Sequence, residues 1–228
     1  MAGLDMFPST LFSIGPVAIS GSLVTSVAIT VVLGFSALVL SRRLKPDPGP
    51  LQLLAEGIVT AIEDAIRAVA PDHVRQLLPL IATLWIFLVV ANLVGLIPGM
   101  HSPTRDLSAT SALAILVFLS VHIYGIRSQG IKAYLRHYLA PTPVMLPFHI
   151  LSEITRTIAL AVRLFGNIMS LETAALLILL VAGFLAPIPI LMLHIIEALV
   201  QAYIFGMLAL IYVASALQSQ QSIGSRHE

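Results

Sequence analysis

Two arginines, Arg156 and Arg163, stand inside an otherwise apolar stretch, and Glu172 follows nine residues after the second. Further on, His194, Glu197 and Gln201 recur at i, i+3 and i+7. These side chains carry or pass charge. Arginine keeps its proton, with a pKa above about 12, whereas histidine and carboxylates exchange theirs. On a helix at about 100° per residue, Ser152, Arg156, Arg163, Gly166, Asn167 and Ser170 share one stripe. Glu172 falls on the opposite face, so it is no simple intrahelical partner for Arg163. His194, Glu197 and Gln201 form a second stripe.

A fixed cation with titratable groups displaced from it suits two jobs. One is ion relay, in which carboxylates and histidine pass protons under an immovable positive potential. The other is hydrogen-bonded glue between two buried helices. Glue predicts mostly neutral polar residues. This set is rich in ionisable ones, which favours relay.

The elements that must position these residues lie in a membrane. Of 228 residues, 58% are hydrophobic and 10% charged, against about 45–50% and about 25% in soluble domains. A mean hydropathy of +0.99 is more than one soluble core of this length can hide, so lipid must cover most of the surface. The net charge of +1 and the absence of a basic patch argue against nucleic acid. With no cysteine, disulfides, thiolate catalysis and cysteine metal sites are excluded. The opening MAGLDMFPST lacks a basic n-region, so the first apolar segment is expected to be retained.

A spanning helix needs about 20 mostly apolar residues. Candidates are Val17–Leu40, Leu77–Ile97, Leu107–Ile126 and the longer Val144–Phe184 and Ile188–Leu217, the last two joined by Leu185-Ala186-Pro187. Leu51–Val69 differs, because Glu56, Glu63, Asp64 and Arg67 interrupt its helical apolar period. That pattern predicts an amphipathic helix lying along the membrane surface, or one packed on other helices. The expected fold is a single all-α polytopic membrane domain over 1–228, with about five embedded helices and one surface helix.

Charge orients it. With the N-terminus outside, Arg42, Arg43, Lys45, Arg67, Arg75, Arg127, Lys132, Arg136 and Arg226 are cytoplasmic, and only Arg105 is outside. Length adds a further constraint. Val144–Phe184 as one helix would run roughly 60 Å at 1.5 Å per residue, twice the hydrocarbon layer of about 30 Å. Either it slants steeply or Pro147 breaks it near its start. Two long, antiparallel, tilted helices suit a protein wrapping a curved partner.

The residues also carry a resemblance. Ala161-Val162-Arg163-Leu164-Phe165-Gly166-Asn167 with Glu172, and Gln201-Ala202-Tyr203-Ile204-Phe205 seven residues after His194, resemble signatures of subunit a of F-type ATP synthases. Upstream, Asn92-Leu93-Val94-Gly95-Leu96-Ile97-Pro98-Gly99 and Pro103-Thr104-Arg105-Asp106-Leu107 extend it over nearly all the chain after Pro50. Leu164-Phe165-Gly166-Asn167 points to the bacterial or plastid branch, and hence to a bacterial inner membrane.

The resemblance implies a non-catalytic ion-translocating subunit facing a ring of c subunits, with a subunit b peripheral stalk. Arg163 would match the family's essential arginine, drawing each ring carboxylate into its ionised state and blocking leakage between two offset half-channels. Glu172, His194 and Gln201 match positions lining the path, the first two toward the outer side. Asn167 would shape the polar pocket, and Glu197 would extend the outer half-channel or bond a neighbouring helix. Protons are the expected coupling ion and sodium the alternative. Ser152-Glu153-Ile154-Thr155-Arg156 resembles the N-type branch, linked to sodium, and a second arginine there departs from the usual pattern. Arg156 either has a role of its own or pairs with Glu153 at i−3.

Rival classes fit less well. His194 and Glu197 have helical ligand spacing, but a metal site would want more ligands. No G-x-x-x-x-G-K-[ST] loop occurs to cradle nucleotide phosphates, and no cofactor is expected. An autonomous transporter would show internal symmetry, and none is visible. His73, His101, His137 and His227 are expected to be solvated, and His122 and His149 interfacial. Asp106 is expected to cap the helix at Leu107, and Trp85 to pack or sit at an interface.

Overall fold

The computed structural model describes residues 10–14, 17–46, 48–97, 102–131, 146–183 and 188–218, with backbone alone at 10–14, 17–19, 129, 172, 182 and 218. The Leu185-Ala186-Pro187 turn and the basic connector from Lys132 to Arg136 lie outside these residues.

The chain enters through an antiparallel hairpin, β1 (Thr10–Ile14) and β2 (Val17–Ser20), and only then forms α1 (Gly21–Arg42). This corrects the expectation that the first span begins at Val17. Val17 and Ile19 are β-branched and favour extended backbone. Ser20 then starts the helix, its Oγ accepting from the Leu23 N–H at 3.4 Å. Apart from the hairpin, the described elements are helical: the fold is that of an all-α polytopic membrane protein.

Helix α2 (Pro50–Val69) opens on a proline in its first turn, where the missing N–H has no intrahelical partner to lose. Its C-terminal half buries Ile62 and Ile66 against the helices that follow, while Leu51, Leu53, Leu54 and Ile58 stay exposed. Arg67 bonds Glu63 at 2.7 Å and Asp64 at 3.3 Å on its polar side. A 3₁₀ turn, Pro71–His73, leads into α3 (Val74–Val94), and a second, Pro103–Arg105, precedes α4 (Leu107–Gln129). The last two helices are α5 (Leu146–Ala182) and α6 (Ile188–Gln218). Five described helices, all but α2, are long and apolar enough to cross a membrane.

Pro147 sits in the first turn of α5, so it opens the described helix and does not interrupt it. Its 37 residues run about 55 Å, well beyond a hydrocarbon layer of about 30 Å. The 31 residues of α6 run about 46 Å by the same rise. Neither helix fits that layer upright.

The core forms where α3 meets α6, with α4 and α5 closing around them. Leu77, Ile81, Leu84 and Leu88 of α3 meet Ala202, Phe205, Ala209 and Leu210 of α6 in one buried cluster. Ala114, Val117 and Val121 come from α4, and Leu160, Ala161 and Leu164 from α5. The alanines let backbones approach, which matters because lipid is as apolar as leucine and only close packing favours association. Helix α1 is the outlier, with Ile29 its one buried residue among those described. Such all-round apolar exposure belongs to a peripheral span bounded by lipid.

One contact keys α3 to α6. The Trp85 ring stacks on Tyr203 with centroids 5.6 Å apart, and its Nε1 donates to the Tyr203 carbonyl at 3.3 Å. The indole lies where a Cβ on Gly206 would be, so only glycine admits it. Trp85 is therefore a packing residue. Asp106 caps α4 as expected, accepting from the Ser108 N–H at 2.9 Å and the Ser108 hydroxyl at 2.7 Å. Its other carboxylate oxygen accepts from the Ser22 hydroxyl, tying α1 to α4.

Gly206→Ala is expected to displace the indole, at the cost of about 1–3 kcal/mol typical of overpacking. Trp85 is the only tryptophan, so its emission in detergent-solubilised protein should shift together with a lowered melting midpoint. Asp106→Ala removes both a cap and the Ser22 link. It should destabilise by about 0.5–2 kcal/mol, with Asp106→Asn retaining most of the cap; thermal melts of the three proteins would show the order.

Candidate functional site: a polar seam between the two long helices

Two side-chain contacts set how α5 and α6 lie against each other. Asn167 Nδ2 donates to Gln201 Oε1 at 2.7 Å, and the Arg156 guanidinium stands 4.4 Å from the Tyr212 ring centroid. Eleven residues separate Arg156 from Asn167, and eleven separate Gln201 from Tyr212, so both contacts obey one antiparallel register. In that register Arg163 is level with Phe205, and Glu172 with Ile196. The two polar stripes expected from sequence thus meet end to end, at Asn167 and Gln201.

Along this seam the groups differ sharply in burial. Gln201 is 1% exposed and His194 2%. Each keeps a buried nitrogen, Nε2 in both cases, without a hydrogen-bond partner among the described residues. Unpaired polar groups away from water are costly, so these atoms mark places built for more than packing. Glu197 is half-buried one turn from each. The Glu172 side chain lies outside the described residues, but its helical position is level with this group, roughly 13 Å along α5 from Arg163.

Arg163 is different. It is the eighteenth of the 37 residues of α5, at mid-length, and it is exposed. Among the described residues no hydrogen bond or ion pair holds it. Beside it a Cβ on Gly166 would meet nothing within 4 Å, so the surface there is open. Exposed Ala159 and Val162 on the same helix make its near surroundings apolar. The arrangement is an exposed cation on a helix apolar enough to span, with no anion paired to it among the described residues.

Sequence leaves Arg156 two readings, a role of its own or a bridge to Glu153. Among the described residues it makes no ion pair with Glu153, whose carbonyl instead accepts from Thr157 at 2.9 Å. The guanidinium reaches across to Tyr212, where the ring's negative face attracts it by about 0.5–2 kcal/mol. Ser152 and Ser170 are exposed on the same helix.

A second polar cluster was not singled out as a site from sequence. Asn92 Nδ2 donates to the Ala198 carbonyl at 3.2 Å, and its Oδ1 accepts from Thr104 Oγ1 at 2.8 Å. The Ser102 hydroxyl is 2.6 Å from Thr104 Oγ1 and donates to the Ala91 carbonyl at 2.9 Å. This buried knot joins α3, the turn before α4, and α6 midway between His194 and Gln201. Gly95 permits it, since a Cβ there would stand 2.8 Å from Ser102 Cβ. The signal in sequence was an asparagine alone in an apolar span; its partners are set by the fold.

Comparison with known proteins follows the same lines. Residues 22–214 match the family model of the ATP synthase A chain. ATP synthase subunit a 2 of Pelobacter propionicus is 61% identical over 218 residues, 96% of each chain. ATP synthase subunit a 1 of Hahella chejuensis is 65% identical over 205 residues, 90% of this chain and 87% of that one. ATP synthase subunit a of Legionella pneumophila is 56% identical over 211 residues, 92% of each. With five helices able to span, these relatives make it a multi-pass protein of the bacterial inner membrane. The chain belongs to the ATP synthase A chain family, the subunit a family of the membrane sector of bacterial F-type ATP synthases.

Proposed function

We propose that this chain is the stator half of an ion channel completed by a ring of c subunits, and that Arg163 is its central charge. As an ATP synthase subunit a it is a non-catalytic member of its complex, and nucleotide chemistry belongs to other chains. One observation carries the reading: Arg163 stands exposed at mid-length of α5, on an apolar face, with no anion among the described residues.

A guanidinium in mid-membrane costs at least about 2.5–3.5 kcal/mol on insertion scales, so it calls for a partner. A carboxylate arriving on a neighbouring subunit supplies one, and low dielectric makes the attraction strong. Because arginine does not surrender its proton, it favours the ionised carboxylate and cannot itself pass a proton on. A carboxylate leaving this position must be reprotonated elsewhere. The group level with Glu172, including His194 and Glu197, is offset along the seam and serves as the outer access. Gln201 and Asn167, bonded to each other, bridge that group to Arg163.

Protons are the coupling ion in this reading, and replacing sodium in the medium separates it from the sodium alternative. Ion flow would turn the ring against this chain, which a peripheral stalk containing subunit b would hold still. The N-terminal half of α2, with its bare leucines, would rest on the membrane surface.

In inverted vesicles bearing the assembled complex, Arg163→Ala is expected to reduce ATP-driven ion uptake to background. Arg163→Lys should recover little, because ammonium can lose its proton where guanidinium does not. Undiminished uptake in the alanine variant would leave the arginine a structural residue only. Gln201→Leu and Asn167→Leu should each slow uptake by about tenfold or less, the range one broken hydrogen bond allows. Since the two side chains form one bond, the double variant should be no slower than the worse single one; fully multiplicative losses would mean they act separately.

A further inference from the structure

Arg156 is a second permanent charge in α5, seven residues before Arg163. At about 100° per residue that spacing returns it to nearly the same face, about 10 Å away along the helix. It is half-buried, with its guanidinium carbon 4.4 Å from the Tyr212 ring centroid. It lines an open cleft of about 500 Å³ together with Ser152, Thr155 and Ala159, and among the described residues no carboxylate joins that lining. On its own helix, Glu153 makes no ion pair with it among the described residues, and His149 lies two turns before it. Of the two long helices packed on α5, α6 brings Tyr212. The C-terminal half of α4 carries His122, Tyr124 and Arg127; His122 Nδ1 is 2.8 Å from the Phe118 carbonyl, and Tyr124 donates to the Gln76 carbonyl at 3.2 Å. The turn Pro103–Arg105 also packs on α5, with Arg105 on the opposite side of the membrane by the charge asymmetry. The cleft therefore carries a positive potential that no anion of its described lining offsets.

That potential bears on ion passage, on the reading above in which ring carboxylates pass Arg163. The start of α5 is cytoplasmic by the charge asymmetry, so Arg156 stands on the cytoplasmic side of Arg163. When ATP drives the ring, a carboxylate leaving Arg163 must take a proton from water on that side. One O–H bond forms at the carboxylate, its negative charge is lost, and hydronium is left as water. A nearby cation favours the ionised form and so opposes this capture. We propose that Arg156 sets the proton affinity of the ring carboxylate at its cytoplasmic access, and with it how acidic the cytoplasmic side must be for uptake. The same field eases proton release to the cytoplasm when the ring turns the other way. Arginine suits this role because it does not titrate itself. One charge about 10 Å away, at an effective dielectric of about 20–40, moves such an equilibrium by about 0.5–1 pH unit.

The test uses the assembled complex in inverted vesicles, whose cytoplasmic side faces the medium, with lumenal pH fixed and medium pH varied. Initial rates of ATP-driven proton uptake are scaled to each variant's own maximum. Arg156→Gln should move the alkaline half-maximum up by about 0.5–1 pH unit. Arg156→Lys keeps the charge and should leave the half-maximum where the unaltered complex has it. A merely structural role predicts lower rates at every pH with an unmoved half-maximum, and that result overturns the proposal. A shift shared by Arg156→Lys overturns it too, since charge would not be the cause. Should Arg156→Gln fail to assemble, Ser152→Asp sets an opposite charge one turn away in the same cleft. It must also raise the half-maximum, and no shift there is equally fatal. Arg163→Ala in the same vesicles separates the two levels. Undiminished uptake in that variant removes the reading beneath, whereas lost uptake there with an unmoved half-maximum in Arg156→Gln removes only the role of Arg156.

Discussion

A guanidinium keeps its charge, and hydrocarbon does not solvate it. That conflict at Arg163 is the condition under which the rest of the molecule makes sense. A lysine could settle it by deprotonation, and a buried arginine by pairing with a carboxylate of its own chain. Here the residue stands at mid-length of an overlong helix, on an apolar face, beside the open surface at Gly166. Among the described residues no carboxylate pairs with it, which is why its partner is proposed to come from another subunit. A fold that keeps such a residue must hold its neighbours firmly, because every ångström alters the field a passing anion would feel.

The means of holding are those available in lipid. Without a hydrophobic drive between helices, close backbone approach and a few buried hydrogen bonds have to suffice. Trp85 laid over Gly206 sets the height of α6 against α3. The Asn92 bond to the Ala198 carbonyl pins the same helix one turn beyond His194 and one turn short of Gln201. Then Asn167 against Gln201 and Arg156 against Tyr212 set the register of α5. The polar seam is thus placed from both sides: α3 locates α6, and α6 locates α5. The same register brings Tyr212 to the Arg156 guanidinium.

Much of this was legible before any coordinates. The spans follow from apolar length, the amphipathic α2 from its interrupted period, and the two polar stripes from helical spacing. These depend on one helix at a time, and local periodicity records them. Helix starts were less legible. Val17 to Ser20 are apolar enough to be counted into a span, yet β-branching and the Ser20 cap draw the boundary at Gly21. Hydropathy sees solvent preference; backbone conformation depends on more.

By itself, the sequence determined that the chain lives in a membrane, that its last two apolar segments are too long to stand upright, and that Arg156 and Arg163 fall inside the first of them. Only the tertiary structure decided which polar residues meet. Arg156 sits over Tyr212 and not beside Glu153, Asn167 bonds Gln201, and Asn92 joins Thr104 and Ala198. The reason is physical. Residue type and helical period settle what a side chain needs and which face it occupies. The register between helices depends on side-chain packing across a gap, where a glycine under an indole counts for more than any stripe.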